Sequence, residues 1–174
     1  MRSLKNEKGV TIIALVVTVI VIFILAGISL TQGTKLIKKA KSESFVTNMI
    51  TIRAKSKVYA EEVNAKTWGK NDNGVTRSNL FSDNYNMTKV ENLSQEQIAA
   101  LDEEVTKDGS YESYSLTEQA LEKMGLEDVK EDTNYIVVYN SGDYTKLDVI
   151  YKTGITYNET KYYTLSTLQK AMGE

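Results

Sequence analysis

Three neighbouring side chains in this sequence are of a kind that can do chemistry: Asp102, Glu103 and Glu104. Carboxylates that converge on one point can move protons or hold a divalent cation. Consecutive helical residues point in different directions, so this trio reads instead as a solvated face. A second candidate is "TWGKNDNGVTRSN" (67–79), rich in amide and carboxylate oxygens. If Gly74 were the sixth position of a calcium loop, Gly69 would fall on the first ligand position, so the ligand pattern fails. The 174 residues include no histidine and no cysteine. That removes the usual general base, the commonest metal ligand, a thiolate nucleophile, a disulfide framework and a lipid-modified cysteine anchor. There is no P-loop and no G-x-S-x-G. Neither an enzymatic activity nor a cofactor is expected.

The elements that would carry any function begin with "KNEKGVTIIALVVTVIVIFILAGISL", Lys5 to Leu30. Val10 to Leu30 is 21 residues without a charge, and fifteen of them are Val, Ile, Leu or Phe. As a helix rising 1.5 Å per residue it would span about 30 Å, the thickness of a bilayer core. On insertion scales the run favours the membrane by at most about 5–9 kcal/mol. Its Val, Ile and Thr content would favour a strand in water. In lipid a lone strand leaves its backbone groups unpaired, so the expectation is a membrane-spanning helix. The run exceeds the apolar core of a secretory signal, and "LAGISLTQG" offers no clean small-x-small exit site. Positive charges flank both ends: Arg2, Lys5 and Lys8 on one side, Lys35, Lys38, Lys39 and Lys41 on the other. Charge count alone therefore does not orient it.

The junction "EKGVTIIALVV" resembles the class III leader of type IV prepilins and pseudopilins, in a variant similar to pilin-like proteins of Gram-positive anaerobes. The resemblance covers about residues 5–30. It implies a leader, 1–9, carrying Arg2, Lys5 and Lys8. A prepilin peptidase would cut after Gly9, leaving Val10 as a methylated N-terminus. The family usually has glutamate at the fifth mature position, where this chain has Ala14. In the family that carboxylate is thought to pair with a neighbour's N-terminus. Its absence leaves two readings open, a special minor or tip subunit and a subgroup that assembles differently. An ordinary uncleaved anchor is the plainer alternative.

Beyond Gly33, Phe45, Met49, Ile52, Ser56, Tyr59 and Val63 recur at 4-3-4-3-4 spacing, one face of a helix. The pattern predicts one helix from Val10 to about Lys66, about 85 Å long. Residues 10–33 would form the transmembrane and assembly half, and 34–66 an amphipathic stalk. The lysines at 35–41 read as a solvated collar or as a partner contact. Gly27 and Gly33 would interrupt the helix, either to permit loss of helical order on packing or as tolerated small residues.

Residues 67–174 are expected to form a globular head. Within it 67–134 reads as a connecting region with two short helices. Ser94–Gln97 is one capping box, and Ser115–Glu118 a second whose helix stops at Gly125. Residues 135–165 read as an antiparallel sheet, with "YIVVY" a strand and "NSGD" a turn. "YTKLDVIY" places Leu147, Val149 and Tyr151 on one face, a further turn is expected near 152–154, and "ITY", "NET" and "KYYTL" then make a final hairpin. A short helix and tail, 166–174, would follow. The fold class is thus α+β and pilin-like, a long N-terminal helix packed on a small antiparallel sheet in two layers.

Lys and Arg total 21 against 23 Asp and Glu, so nucleic acid is not expected as a main partner. What the resemblance implies is a structural subunit polymerised with itself or other pilins into a surface pilus or pseudopilus. A prepilin peptidase, an assembly platform and an ATPase would serve it. The chain would sit as a single-pass membrane protein, N-terminus cytoplasmic and head extracellular, before joining a cell-surface filament. The alternative is a membrane-anchored extracellular binding module that does not assemble. Adhesion, motility, secretion and DNA uptake all use such filaments and stay open.

Overall fold

The structure, a computed structural model, describes residues 7–67, 76–107, 109–130 and 132–173; the side chains of 7–13, 24–36 and 38 lie outside that description. The chain divides into two compact units, Met1–Lys41 and Ser42–Glu174. Helix α1 (Glu7–Thr67) contributes its first part to one unit and its last part to the other.

In unit one, α1 runs without a break through Gly27 and Gly33. Each glycine costs a helix about 1 kcal/mol relative to alanine, and the surrounding residues outweigh that cost. The expected membrane-spanning half needs correction. Among the described residues no helix is long and apolar enough to cross a membrane. The described apolar stretch, 14–23, rises only about 15 Å, half the thickness of a bilayer core. The single-pass placement falls with it.

In unit two, the apolar stripe does form a core face. Val46, Met49, Ile52, Ser56, Ala60 and Val63 are buried, and Phe45 and Tyr59 pack half-buried beside them. After α1 come α2 (Arg77–Tyr85), β1 (Met87–Val90), α3 (Gln95–Ala99), α4 (Glu103–Thr106) and β2 (Tyr111–Leu116). Then follow α5 (Glu118–Lys123), a 3-10 turn (Glu127–Val129), β3 (Tyr135–Asn140), β4 (Leu147–Tyr157), β5 (Thr160–Thr164) and α6 (Leu165–Met172). The five strands pair antiparallel in chain order, β1-β2-β3-β4-β5.

The sheet is larger than the 135–165 expectation. β1 and β2 come from the region read as connecting chain, and Tyr114 pairs with both Lys89 and Val137. The sheet is also covered on both faces rather than one. Tyr114, Leu116, Val137, Tyr139, Leu147 and Val149 join the α1 stripe in the main core. Ile136, Val138 and Ile150 pack on the other side against Leu101 and Val105. The cause is the chain between β1 and β2, whose α3 and α4 fold over the second face. A strand buried on both sides reads as a continuous apolar run, as "YIVVY" does.

Local chemistry sets the element ends. Ser94 and Gln97 form the capping box of α3. The second expected box is different: Ser115 sits in β2, and Thr117 caps α5 by accepting from the Ala120 N–H at 3.2 Å. α5 does end at Gly125 (φ +81°), where the Leu126 N–H returns to the Leu121 carbonyl at 3.0 Å. The turn expected near 152–154 is absent. β4 runs through it with a register shift between Ile150 and Ile155, and Gly154 there has φ +71°. The reversal comes at Asn158 (φ +47°) and Glu159 (φ +66°), within the hairpin expected at "NET", with the paired positive φ of a type I′ turn.

Candidate assembly surface

The surface with the clearest unmet physical demand lies on α1 in unit one. Leu15, Val16, Val17, Val19, Ile20, Val21, Ile22 and Phe23 are between 42% and 72% exposed. Successive helical residues advance 100°, so ten residues go round the cylinder nearly three times. The stretch therefore has no polar side. A helix apolar all round is a helix meant to be covered all round. Thr18 is its one polar side chain, and its hydroxyl donates to the Leu15 carbonyl at 2.8 Å. That hydroxyl is satisfied within the helix and asks nothing of a partner. Ala14, exposed and one turn before Thr18, makes a small spot that another helix can approach closely. It also carries no charge, so covering this surface buries no carboxylate.

The other residues singled out from sequence are placed as follows. Arg2 and Lys5 lie outside the described residues. Gly9 and Val10 fall in α1, as do Lys8, Gly27 and Gly33; the side chains of Lys8 and Val10 are not described. Of the calcium-loop candidate, 67–79, residues 68–75 are likewise outside. Lys39 and Lys41 are exposed, and Ile37 just before them is 69% exposed. The Asp102 trio does not converge: Asp102 caps α4 through the Glu104 N–H, and Glu104 pairs with Lys146 at 3.0 Å. Among the described residues no group of three or more potential metal ligands comes together.

Unit two holds two polar clusters that sequence reasoning missed. In the first, Tyr114 and Tyr144 each donate to Glu112 at 2.6 Å, and the Arg77 guanidinium lies 4.8 Å over the Tyr144 ring. Burial works against the Glu112 charge. The two phenol hydrogen bonds, with Lys89 and Arg77, outweigh it and hold the carboxyl below its usual 4.5. Burial and the carboxylate push both phenols up. Phe81 stacks against Tyr114, Tyr139 and Tyr144 at 4.9, 4.9 and 5.7 Å. Alternation in "YESYSL" places Glu112 on the same side as Tyr114 and Leu116, a legible signal; Tyr144 arrives from a distant turn.

In the second cluster, Asp148 is fully buried within β4. It accepts from the N–H groups of Val149, Asp102 and Ser166 at 2.8, 3.3 and 3.3 Å, and from the Ser166 hydroxyl. Burial raises its pKa despite these bonds. Every donor there is already used, so the carboxylate acts as a staple and presents nothing to a ligand. A shallow cleft lined by Asn64, Thr67, Arg77, Gly142 and Asp143 places a cation and a carboxylate in one wall. No protein-family model, no curated protein and no solved structure matches the chain.

Proposed function

We propose that this chain is a pilin-like structural subunit that packs its apolar N-terminal helix among those of other copies to build a filament. Hydrolysis of the Gly9–Val10 peptide bond by a dedicated peptidase would precede assembly. The resemblance around Gly9 and Val10 motivates the cut, and no catalysis by the chain itself enters this reading.

The observation that carries it is the all-round exposure of Leu15 to Phe23. Fully burying such a side chain is worth about 1.5–3 kcal/mol, so covering the exposed half of each is worth about 1 kcal/mol. One partner touching one side of the helix covers about half of them, about 4 kcal/mol. Association costs at least about 4 kcal/mol in lost freedom, so a simple pair roughly breaks even. Surrounding the helix with several like helices doubles the gain at a smaller added cost per contact. The demand is thus for many neighbours, as inside a filament.

The test is mass spectrometry of the N-terminus of the mature protein, with electron microscopy and sedimentation of the same material. A chain beginning at Val10 and sedimenting as polymers is expected. Gly9→Val is expected to leave residues 1–9 attached and to stop polymer formation. A wild-type protein that keeps residues 1–9, or that stays monomeric, overturns the reading.

A further inference from the structure

The charges of this chain are segregated at the boundary between its two units. Residues 1–41 hold seven basic side chains and one acidic, and residues 42–174 hold fourteen basic and twenty-two acidic. The net charges are thus +6 and −8, concealed in the whole-chain value of −2. Loss of residues 1–9 would not remove the asymmetry. Residues 10–41 keep Lys35, Lys38, Lys39 and Lys41 with no acidic residue, a net +4. These lysines follow the apolar stretch directly on the same helix.

We infer that the apolar surface at 14–23 is covered by further copies of this chain in a crossed register. In that register the lysine stretch 35–41 of one copy lies against the acidic unit two of another. The inference rests on the self-assembly reading and adds to it the register and its electrostatic origin. Helices that are apolar all round slide past one another at little cost, so their own contacts set no register. Charge does. After loss of residues 1–9, setting unit one beside unit one places +4 against +4, and unit two beside unit two places −8 against −8. Crossing the units replaces both repulsions with attraction. Exposed charge pairs are individually weak and screened by salt. The charges therefore do not supply the affinity, which comes from apolar cover. They select the arrangement and speed the encounter, by about 10-fold or more at low salt.

The experiment mixes 15N-labelled and unlabelled chain matured to begin at Val10, lets it assemble, and treats it with a carbodiimide. This reagent joins a lysine amine to a carboxylate in direct contact, with loss of water and no spacer. Mass spectrometry should then find mixed-isotope links from Lys35, Lys38, Lys39 or Lys41 to Asp or Glu within 42–174. Alongside, the four lysines are changed to glutamate, Lys35→Glu, Lys38→Glu, Lys39→Glu and Lys41→Glu. A control makes the same total change in unit two at exposed sites, Lys55→Glu, Lys57→Glu, Lys107→Glu and Lys170→Glu. Circular dichroism checks that both variants fold.

The unit-one variant should assemble about 10-fold more slowly at low salt and recover as salt rises, while the control stays within about 3-fold of wild type. Assembled wild type without mixed links, or equal slowing of both variants, overturns the crossed register and leaves self-assembly standing. A wild-type chain that stays monomeric overturns the reading beneath it, and the register with it.

Discussion

Ser166 donates both its backbone N–H and its hydroxyl to the buried carboxylate of Asp148, tying the first turn of α6 to the start of β4. The same carboxylate takes the Asp102 N–H, so three distant parts of the chain end on one side chain. Asp148→Ala would strand those donors in the interior, at a cost of about 2–4 kcal/mol. Ser166→Ala removes one donor and leaves the others paired, costing about 1 kcal/mol. Urea denaturation of both variants checks the order. Equal effects, or no effect at Asp148, would contradict the staple.

The Glu112 cluster predicts a pH dependence. A carboxyl whose folded pKa is depressed stabilises the fold above its unfolded value and loses that contribution as pH falls. The unfolded value is 4.5, so the loss begins near there and deepens below it. Glu112→Gln should flatten this part of the profile, because an amide does not titrate. Denaturant midpoints measured from about pH 6 down to about pH 3 compare the two proteins. Parallel profiles would remove Glu112 from the account.

Gly154 stands at the register shift of β4 with φ +71°, and a Cβ there would meet the Lys161 side chain at 2.6 and 2.9 Å and the Tyr163 ring at 3.1 Å. Lysine can move aside, yet the backbone conformation still disfavours any L side chain. Gly154→Ala is expected to lower stability by about 1–2 kcal/mol. A melting temperature unchanged from wild type would show that the bulge relaxes freely.

Glu159 holds φ +66° in the hairpin between β4 and β5, where asparagine followed by glycine is the favoured pair. Asn158 already occupies the first position. Glu159→Gly should therefore stabilise the protein by about 0.5–1 kcal/mol, read as a rise in denaturation midpoint. A fall would mean that the Glu159 side chain matters more than its backbone.

What could be read in the sequence were signals whose cause is local. The apolar stripe from Met49 to Val63 repeats every turn; Met49, Ile52, Ser56 and Val63 are buried and Tyr59 half-buried. Ser94 and Gln97 lie three residues apart and cap α3 as their types require. "YIVVY" is a strand because it is apolar on both faces. The missed features depend on partners far along the chain. β1 is four residues long and is a strand only because β2 pairs with it from far along the chain, as when Val90 meets Ser113, 23 positions on. The turn expected at 152–154 followed from Gly154 alone. The pairing of Ile155 with Tyr162 carries the strand onward instead.

For the candidate surface, composition alone determined that 14–23 would be apolar and uncharged, since that is a property of side-chain types. That these side chains are exposed on every side, with Thr18 satisfied inside its own helix, was decided by the tertiary structure. So were the burial of Asp148 and its four donors, and the covering of the sheet's second face by α3 and α4. The physical reason is common to all of them. Periodicity and capping act over a few residues, whereas burial depends on which distant segments arrive to exclude water.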